Sequence, residues 1–470
     1  MTTPEEIIVR HPSYLERAHQ WKKIRDSIEG EDKIKEGGAA YLPVPGGQTS
    51  QNDPRYKAYK LRASFFAVTE RTLAGLLGLV FRINSTFELP TAMEYLEERA
   101  TPDGLGLNSL AREAMKEQLS IGRYGLLVDL PAGENTDLRP YVSRFKAEDI
   151  WNWDTKFVDG EEVLTRVVLH EDAEGSFDKS RLLELKFEGD VYVMVIWEKK
   201  DERASAKEEY VVIDTVQPDR NGKPLDRIPF VFLPMTRVAK PAMLDLSNTN
   251  ISHYRNSADY EQSLFLTGQP TPYIFGVDEP PPAMGSSTVW HSPKADAKAG
   301  MLEFKGAGIQ ALKEAMQEKE GRMAVLGARI IRDDSERSNI TAETTRLNSR
   351  SDTSVLLDTT DWVEKRLRDV LNMIAEWVGV ATEVEFALNR DHVETRMDPA
   401  SIGQMVAGWQ AQAYSYDTLF ENLQRGEIIP PERTMEEELR LIAKLVPPMM
   451  VDANDEDDDE DEDEDEEDDA

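Results

Sequence analysis

The chain has 470 residues, 40% hydrophobic and 31% charged, apolar enough for roughly two or three ordinary cores and too apolar for a disordered chain. Its formal net charge is −34; the last nineteen residues hold sixteen carboxylates and no base, so residues 1–451 still carry −18. That sign argues against a protein that grips the phosphate backbone through Lys and Arg, and the absence of cysteine excludes disulfides, thiolate zinc sites and cysteine nucleophiles, in keeping with a reducing compartment.

The start, MTTPEEIIVRHPSY, is polar and acidic rather than basic followed by apolar, so no secretory leader is expected. The longest clean apolar run, LAGLLGLVF at 73–81, is about half of the ~20 residues that a bilayer span requires, so a soluble protein with no membrane partner is expected. GGAAYLPVPGG (37–47) reads as a Gly/Pro loop, with no Lys-Ser or Lys-Thr to make it a phosphate cradle. In YKAYKLRASFFAVTERTLAGLLGLVFR, Leu61, Phe65, Val68, Thr72, Leu76 and Leu79 follow helical spacing, and Phe66, Leu73, Leu77 and Val80 form an adjacent stripe. So wide an apolar arc predicts a core helix. A further helix at about 107–121 leads through GRYG (122–125) into the strand LLVDL.

From about 140 to 235 the period becomes that of strands: RVVLHE, LLELKF, VYVMVIWE, EYVVIDTV and IPFVFL, with Asn221-Gly222 as a hairpin turn signal. A β-rich meander is predicted. Beyond Lys240, Leu244, Ile251, Ala258 and Phe265 recur every seven residues on an otherwise polar helix. After three strand-like runs broken by Pro and Gly (269–305), Ile309, Met316, Met323 and Ile330 repeat that spacing. Two helices with such thin seams need other helices beside them, from the same chain or a neighbour, and they are expected to run antiparallel around the insert. A polar loop, RDDSERSN (332–339), precedes a long helix from about 341 to 378. VEFALN (384–389) is a strand, three shorter helices follow near 400–412, 416–425 and 434–446, and the acidic tail is predicted to be disordered.

Chemistry is thinly represented. The six histidines include no pair at helical metal-ligand spacing, and Asp391, His392 and Glu394 read as a solvated strand end. Asp333, Asp334 and Glu336 could in principle hold Mg²⁺ for nuclease chemistry, yet Arg332 and Arg337 balance part of their charge. No nucleophile elbow, P-loop or dinucleotide fingerprint occurs, so neither an enzyme nor a cofactor is expected. The helices at 401–425 could imitate a helix-turn-helix, but Asp417 and Glu421 give the second one the wrong sign for DNA; a packed helical hairpin is expected.

The order of elements, together with YLP (41–43), YKAYKLRASFFAVTERTLAGLLG (56–78), IGRYGLLVDLP (121–131), NISHYRNSADYEQSLFLTGQPTP (250–272), ITAETTRLNSRSDTSVL (340–356) and LFENLQRGEIIPPERT (419–434), resembles the portal proteins of tailed bacteriophages. The resemblance covers nearly the whole chain and implies an α+β, mainly helical fold. Its parts would be a wing (1–240, β-rich at about 140–235), a stem helix (241–268), a clip (269–306), a second stem helix (307–331), a tunnel loop (332–340), a long helix at the base of wing and crown (341–380), a helical crown (381–451) and the acidic tail (452–470). It implies a homo-oligomeric ring, usually of about twelve subunits, at one capsid vertex of a virion assembled in the host cytoplasm. Double-stranded DNA would pass through its channel without sequence-specific binding. Terminase large subunit and then a head-completion or adaptor protein would meet the clip, and the major capsid and scaffolding proteins would surround the ring. Carried over by position, the tunnel loop comprises Arg332, Asp333, Asp334, Ser335, Glu336, Arg337, Ser338 and Asn339, and the eight seam residues form the subunit contact of the stem. The long acidic terminus departs from many portals. An acidic scaffolding or adaptor protein of the virion head is the alternative, and a Mg²⁺-dependent nuclease the third.

Overall fold

The computed structural model describes residues 2–46, 50–130, 139–172, 180–189, 191–199, 210–220, 222–268, 271–277, 291, 294–302, 306–331, 355–381, 384–390, 399–425, 428–430 and 433–445. It divides into two units, Met1–Arg390 and Asp391–Ala470.

The first unit begins with helices α1 (Pro4–Ile7), α2 (Pro12–Glu29) and α3 (Glu31–Glu36), followed by α4 (Pro54–Arg62) and α5 (Val68–Val80). Proline in the first turn starts α2 and α4, with His11 and Asp53 accepting the first free amides. The long apolar run expected as one core helix is two, α4 and α5, and Leu61 is 76% exposed. The break at 63–67 is held by side chains from far along the chain. Ser257 Oγ donates to the Ser64 carbonyl at 2.6 Å, Glu31 accepts the Phe65 amide at 3.1 Å, and the Asn250 amide donates to the Phe66 carbonyl at 2.9 Å. These bonds replace the helical ladder and free Phe65 and Leu73 to enter different cores.

Strand β1 (Thr86–Glu88) precedes α6 (Leu107–Ser120), which turns through Gly122, at φ +75°, into β2 (Tyr124–Asp129). Next come β3 (Tyr141–Lys146) and the meander β4 (Ile150–Val158), β5 (Glu161–Asp172), β6 (Ser180–Glu188), β7 (Val191–Lys199) and β8 (Tyr210–Val216), an antiparallel sheet in chain order. Alternation gives the meander two apolar faces. Trp153, Val167, Leu169, Leu183, Leu185 and Met194 join the main core, while Trp151, Val168, Leu182, Val193, Val195 and Trp197 form a separate core closed by Ile7 of α1.

The two-residue strands β9 (Asp219–Arg220) and β10 (Lys223–Pro224) pair antiparallel, with Arg220 opposite Lys223, and Asn221 of the expected turn lies outside the described residues. IPFVFL does not extend the meander. Its strand, β11 (Phe230–Leu233), returns to β2 in the sheet β11-β2-β3, where the Phe230 ring covers Gly125 so closely that a Cβ there would lie 2.3 Å from it.

The rest of the unit is α7 (Leu244–Thr267), the hairpin β12 (Thr271–Phe275) and β13 (Lys298–Leu302), α8 (Ala307–Ile331), α9 (Val355–Val378) and β14 (Glu385–Ala387), which pairs with β1. α9 was expected from about 341; the stretch before Val355 lies outside the described residues. It lays Leu356, Val363, Leu367, Val370, Leu371 and Ile374 against α6 and the three-stranded sheet. The second unit holds α10 (Pro399–Gln410), α11 (Tyr416–Arg425) and α12 (Met435–Leu445). Its first two helices form a packed hairpin, with the Trp409 and Tyr416 rings 5.8 Å apart and Leu419 and Phe420 buried. The whole is α+β, mixed helix and sheet.

Candidate subunit-contact surface

At about 1.5 Å per residue, α7 and α8 are long rods, and their polar residues show how each is seated. On α7, Ser247, Asn250, His253 and Ser257 are buried although none is apolar. Ser247 Oγ meets Ser27 Oγ of α2 at 2.7 Å, and Asn250 Oδ1 accepts the Thr69 hydroxyl at 3.1 Å. Farther along, the Tyr59 hydroxyl donates to Asp259 at 2.6 Å, Arg62 donates to Gln262 at 2.8 Å, and the Arg255 guanidinium donates to the Tyr41 carbonyl at 2.7 Å. Burial, with the Asp259 carboxylate beside it, raises the Tyr59 hydroxyl well above the usual phenol range. One side of α7 is therefore fastened along α2, α4 and α5.

α8 lies against another side. Lys319 donates to the Ser252 carbonyl at 3.0 Å, and the His253 ring nitrogen Nε2 stands 3.1 Å from Glu320. Burial, with the nearby Arg255 charge, pulls the Lys319 ammonium below its ordinary value. The hairpin β12–β13 joins the ends of the two helices, so the pair runs antiparallel.

The seam residues have divided fates. Leu244 and Met323 are buried in the main core, and Ile251 and Ala258 in a second cluster with Tyr41, Tyr56, Tyr59 and Phe65. These four are used inside the chain. The N-terminal helices supply partners within the chain for a seam too thin to stand alone. Ile309 and Met316 are half-buried, and the side chain of Ile330 lies outside the described residues. So do Arg332, Asp333, Asp334, Ser335, Glu336, Arg337, Ser338 and Asn339.

Phe265 is the seam residue left outside, 61% exposed with Arg62 stacked 3.6 Å over its ring. It has company. Leu264 and Leu266 on the same helix end, and Tyr273, Phe275, Met301 and Leu302 on the hairpin, are all exposed. Register places Tyr273, Phe275 and Leu302 on one face of the hairpin, and Pro272 and Met301 on the other. Sequence reasoning missed this cluster, although TPYIF, with apolar residues at successive positions, already signalled a strand with no polar face.

Among the described residues no group of three or more His, Asp or Glu is placed to hold a metal ion. No helix among them is long and apolar enough to cross a membrane.

Residues 242–378, from just before α7 to the end of α9, match the model of a family described as a domain of unknown function, DUF4055. No curated protein matches the chain. Among solved structures the chain is similar to one from the virion of a native gene transfer agent particle, at 11% identity and a TM-score of 0.39, over 81% of this chain and 94% of that one. It is also similar to a chain from the neck of an empty gene transfer agent particle with C6 symmetry, at 13% identity, TM-score 0.38, over 81% and 95%. A third is from the neck of the native particle with C12 symmetry, at 13% identity, TM-score 0.37, over 81% and 95%.

Proposed function

We propose that the chain is a tailed-bacteriophage portal protein, one subunit of a ring at a single capsid vertex through which terminase packs double-stranded DNA and from which the DNA later leaves. The observation that carries this reading is the uncovered hairpin at the end of the helix pair. A two-stranded sheet apolar on both faces is marginal in water, and identical copies side by side cover it, each presenting one surface to the next. Such a head-to-tail contact closes into a ring when its rotation returns to the first copy. The exposed side of α8, with Gln310, Lys313, Glu314, Gln317, Glu318 and Arg322, suits a wet channel wall of mixed charge. A body of net charge −18 leaves DNA mobile instead of holding it by counterion release.

The six sequence phrases and the order of elements support the same assignment. In it α7 and α8 are the stem, the hairpin is the clip that faces terminase and then an adaptor, and Arg332 to Asn339 face the channel. The meander lies in the wing, toward capsid and scaffolding proteins. The test is negative-stain imaging and mass measurement of the purified full chain, with expected particles showing an axial hole. A chain that stays monomeric at all concentrations indicates the scaffolding or adaptor alternative, and Mg²⁺-dependent cleavage of added DNA indicates a nuclease built on Asp333, Asp334 and Glu336.

A further inference from the structure

We propose that the outer edge of β8 is an acceptor for an extended segment of a partner protein, β-branched in composition and basic in charge. The inference goes beyond the ring assignment and does not depend on it. β8 is the last strand of the meander, with no described strand on its far side. Its neighbour β7 is well covered, since Val193, Met194, Val195 and Trp197 are all buried, yet every residue of β8 from Val211 to Val216 is exposed. Of β8 only Tyr210, at its start, enters the core closed by Ile7 of α1, and the cover ends there. Val211, Val212, Ile213 and Val216 are left in solvent on both faces, Val212 at 49%.

Natural sheets shield such edges with lysine, proline or a covering segment, because unpaired N–H and C=O groups beside apolar side chains recruit strands. Residues 210–216, YVVIDTV, contain no lysine, arginine or proline. The opposite edge of the same sheet is guarded: the His11 amide caps the Trp151 carbonyl of β4 at 2.9 Å, and Lys156 stands on its outer half. A register shift between Ile196 and Trp197 makes Ile213 a bulge and leaves two short runs, Val211–Val212 and Asp214–Val216, for an incoming strand.

Charge selects the occupant. Asp214 is exposed in the middle of the strand, its carboxylate taking up the Thr215 amide at 2.7 Å. An antiparallel pairing of two β8 strands centred on Ile213 sets their Asp214 side chains on one face two positions apart, a repulsive arrangement between chains that each carry −34. A segment alternating β-branched residues with lysine or arginine meets both the apolar edge and the carboxylate. Main-chain ladder bonds supply the affinity and Asp214 the choice of sign.

The experiment uses the full chain and a fluorescein-labelled peptide of about eight residues alternating valine and lysine, read by anisotropy. Two companion peptides replace the central valines with proline or the lysines with glutamate. The proposal expects saturable binding of the basic peptide, at least about tenfold weaker binding of the proline peptide, and a similar loss on the V212K chain with its circular dichroism unchanged. The D214K chain should prefer the glutamate peptide. Equal binding of the proline peptide, or undiminished binding to V212K, overturns the proposal by showing attraction to the acidic chain at large. Absence of saturable binding overturns it as well, and self-association of the wild-type chain that V212K abolishes assigns the edge to a second copy instead.

Discussion

α7 and α9 are each 24 residues long, yet they hold their places by different means. α9 buries an apolar stripe from Leu356 to Ile374; its buried Thr359 and Thr360 bond back to their own helix, and Glu364 reaches outside it to accept the Leu388 amide at 3.2 Å. α7 buries Ser247, Asn250, His253 and Ser257 along with its apolar residues, and much of its seating is hydrogen bonding to α2 and to the broken backbone at 63–67. An apolar stripe tolerates small shifts of register, whereas paired polar groups in a dry setting admit one register. The difference suits a rod that must present its far end in a fixed position.

The largest effect expected from breaking this arrangement comes from a charge placed where the two modes meet. Met323 of α8 and Ile251 of α7 are buried, so Met323→Asp or Ile251→Asp strands a carboxylate in an apolar site at a cost of several kcal/mol, on the order of 3 or more. Both variants should lose the fold of the chain itself, read as lost cooperative melting, and should not yield folded soluble subunits. Folded monomers from either one would return these residues to the subunit contact.

Next in size are truncations that separate the helices. Leu367→Ala on α9 should cost about 2–5 kcal/mol in denaturant unfolding. Asn250→Ala on α7 removes the partner of the Phe66 carbonyl and of Thr69, and should cost about 1–3 kcal/mol. The sharper contrast is in a second substitution: Leu367→Met should restore most of the loss, while Asn250→Leu should not, because a side chain of similar size leaves the same polar groups unpaired. Equal rescue at both sites would erase the distinction.

The smallest expected effect is on pH. Burial and the Arg123 charge lower the pKa of His11, whose ring stacks 3.8 Å from Trp153. A folded value below the unfolded one means that the contribution is complete above the ordinary histidine range and is lost as pH falls through it. Between about pH 7.5 and pH 5 the wild-type chain should lose more stability than His11→Asn, which keeps a capping side chain but does not titrate. Parallel losses would remove His11 from the account.

Local periodicity made α6, α9, the meander strands and the helices of the second unit legible, because their apolar residues face a core lying along one side of each element. The break between α4 and α5 was not, since Ser257 and Asn250, which hold it open, lie nearly two hundred residues farther along. IPFVFL has the composition of its meander neighbours, and only the return to β2 decides its sheet. The seam of α7 is too thin to stand alone, and the pattern by itself does not say whether its partner is this chain or another. The structure assigns Leu244, Ile251, Ala258 and Met323 to this chain and leaves Phe265 outside.

The contact proposed between copies is the hairpin, where Phe275 and Leu302 are 64% and 67% exposed on one face. The most direct test compares the mass of the wild-type chain with that of a Phe275→Asp, Leu302→Asp double variant at equal concentration, by mass photometry with circular dichroism as the control for folding. Closed rings from the wild type, and folded single subunits from the variant, are the predicted result; a monomeric wild type, or variant rings of undiminished mass, would contradict the account.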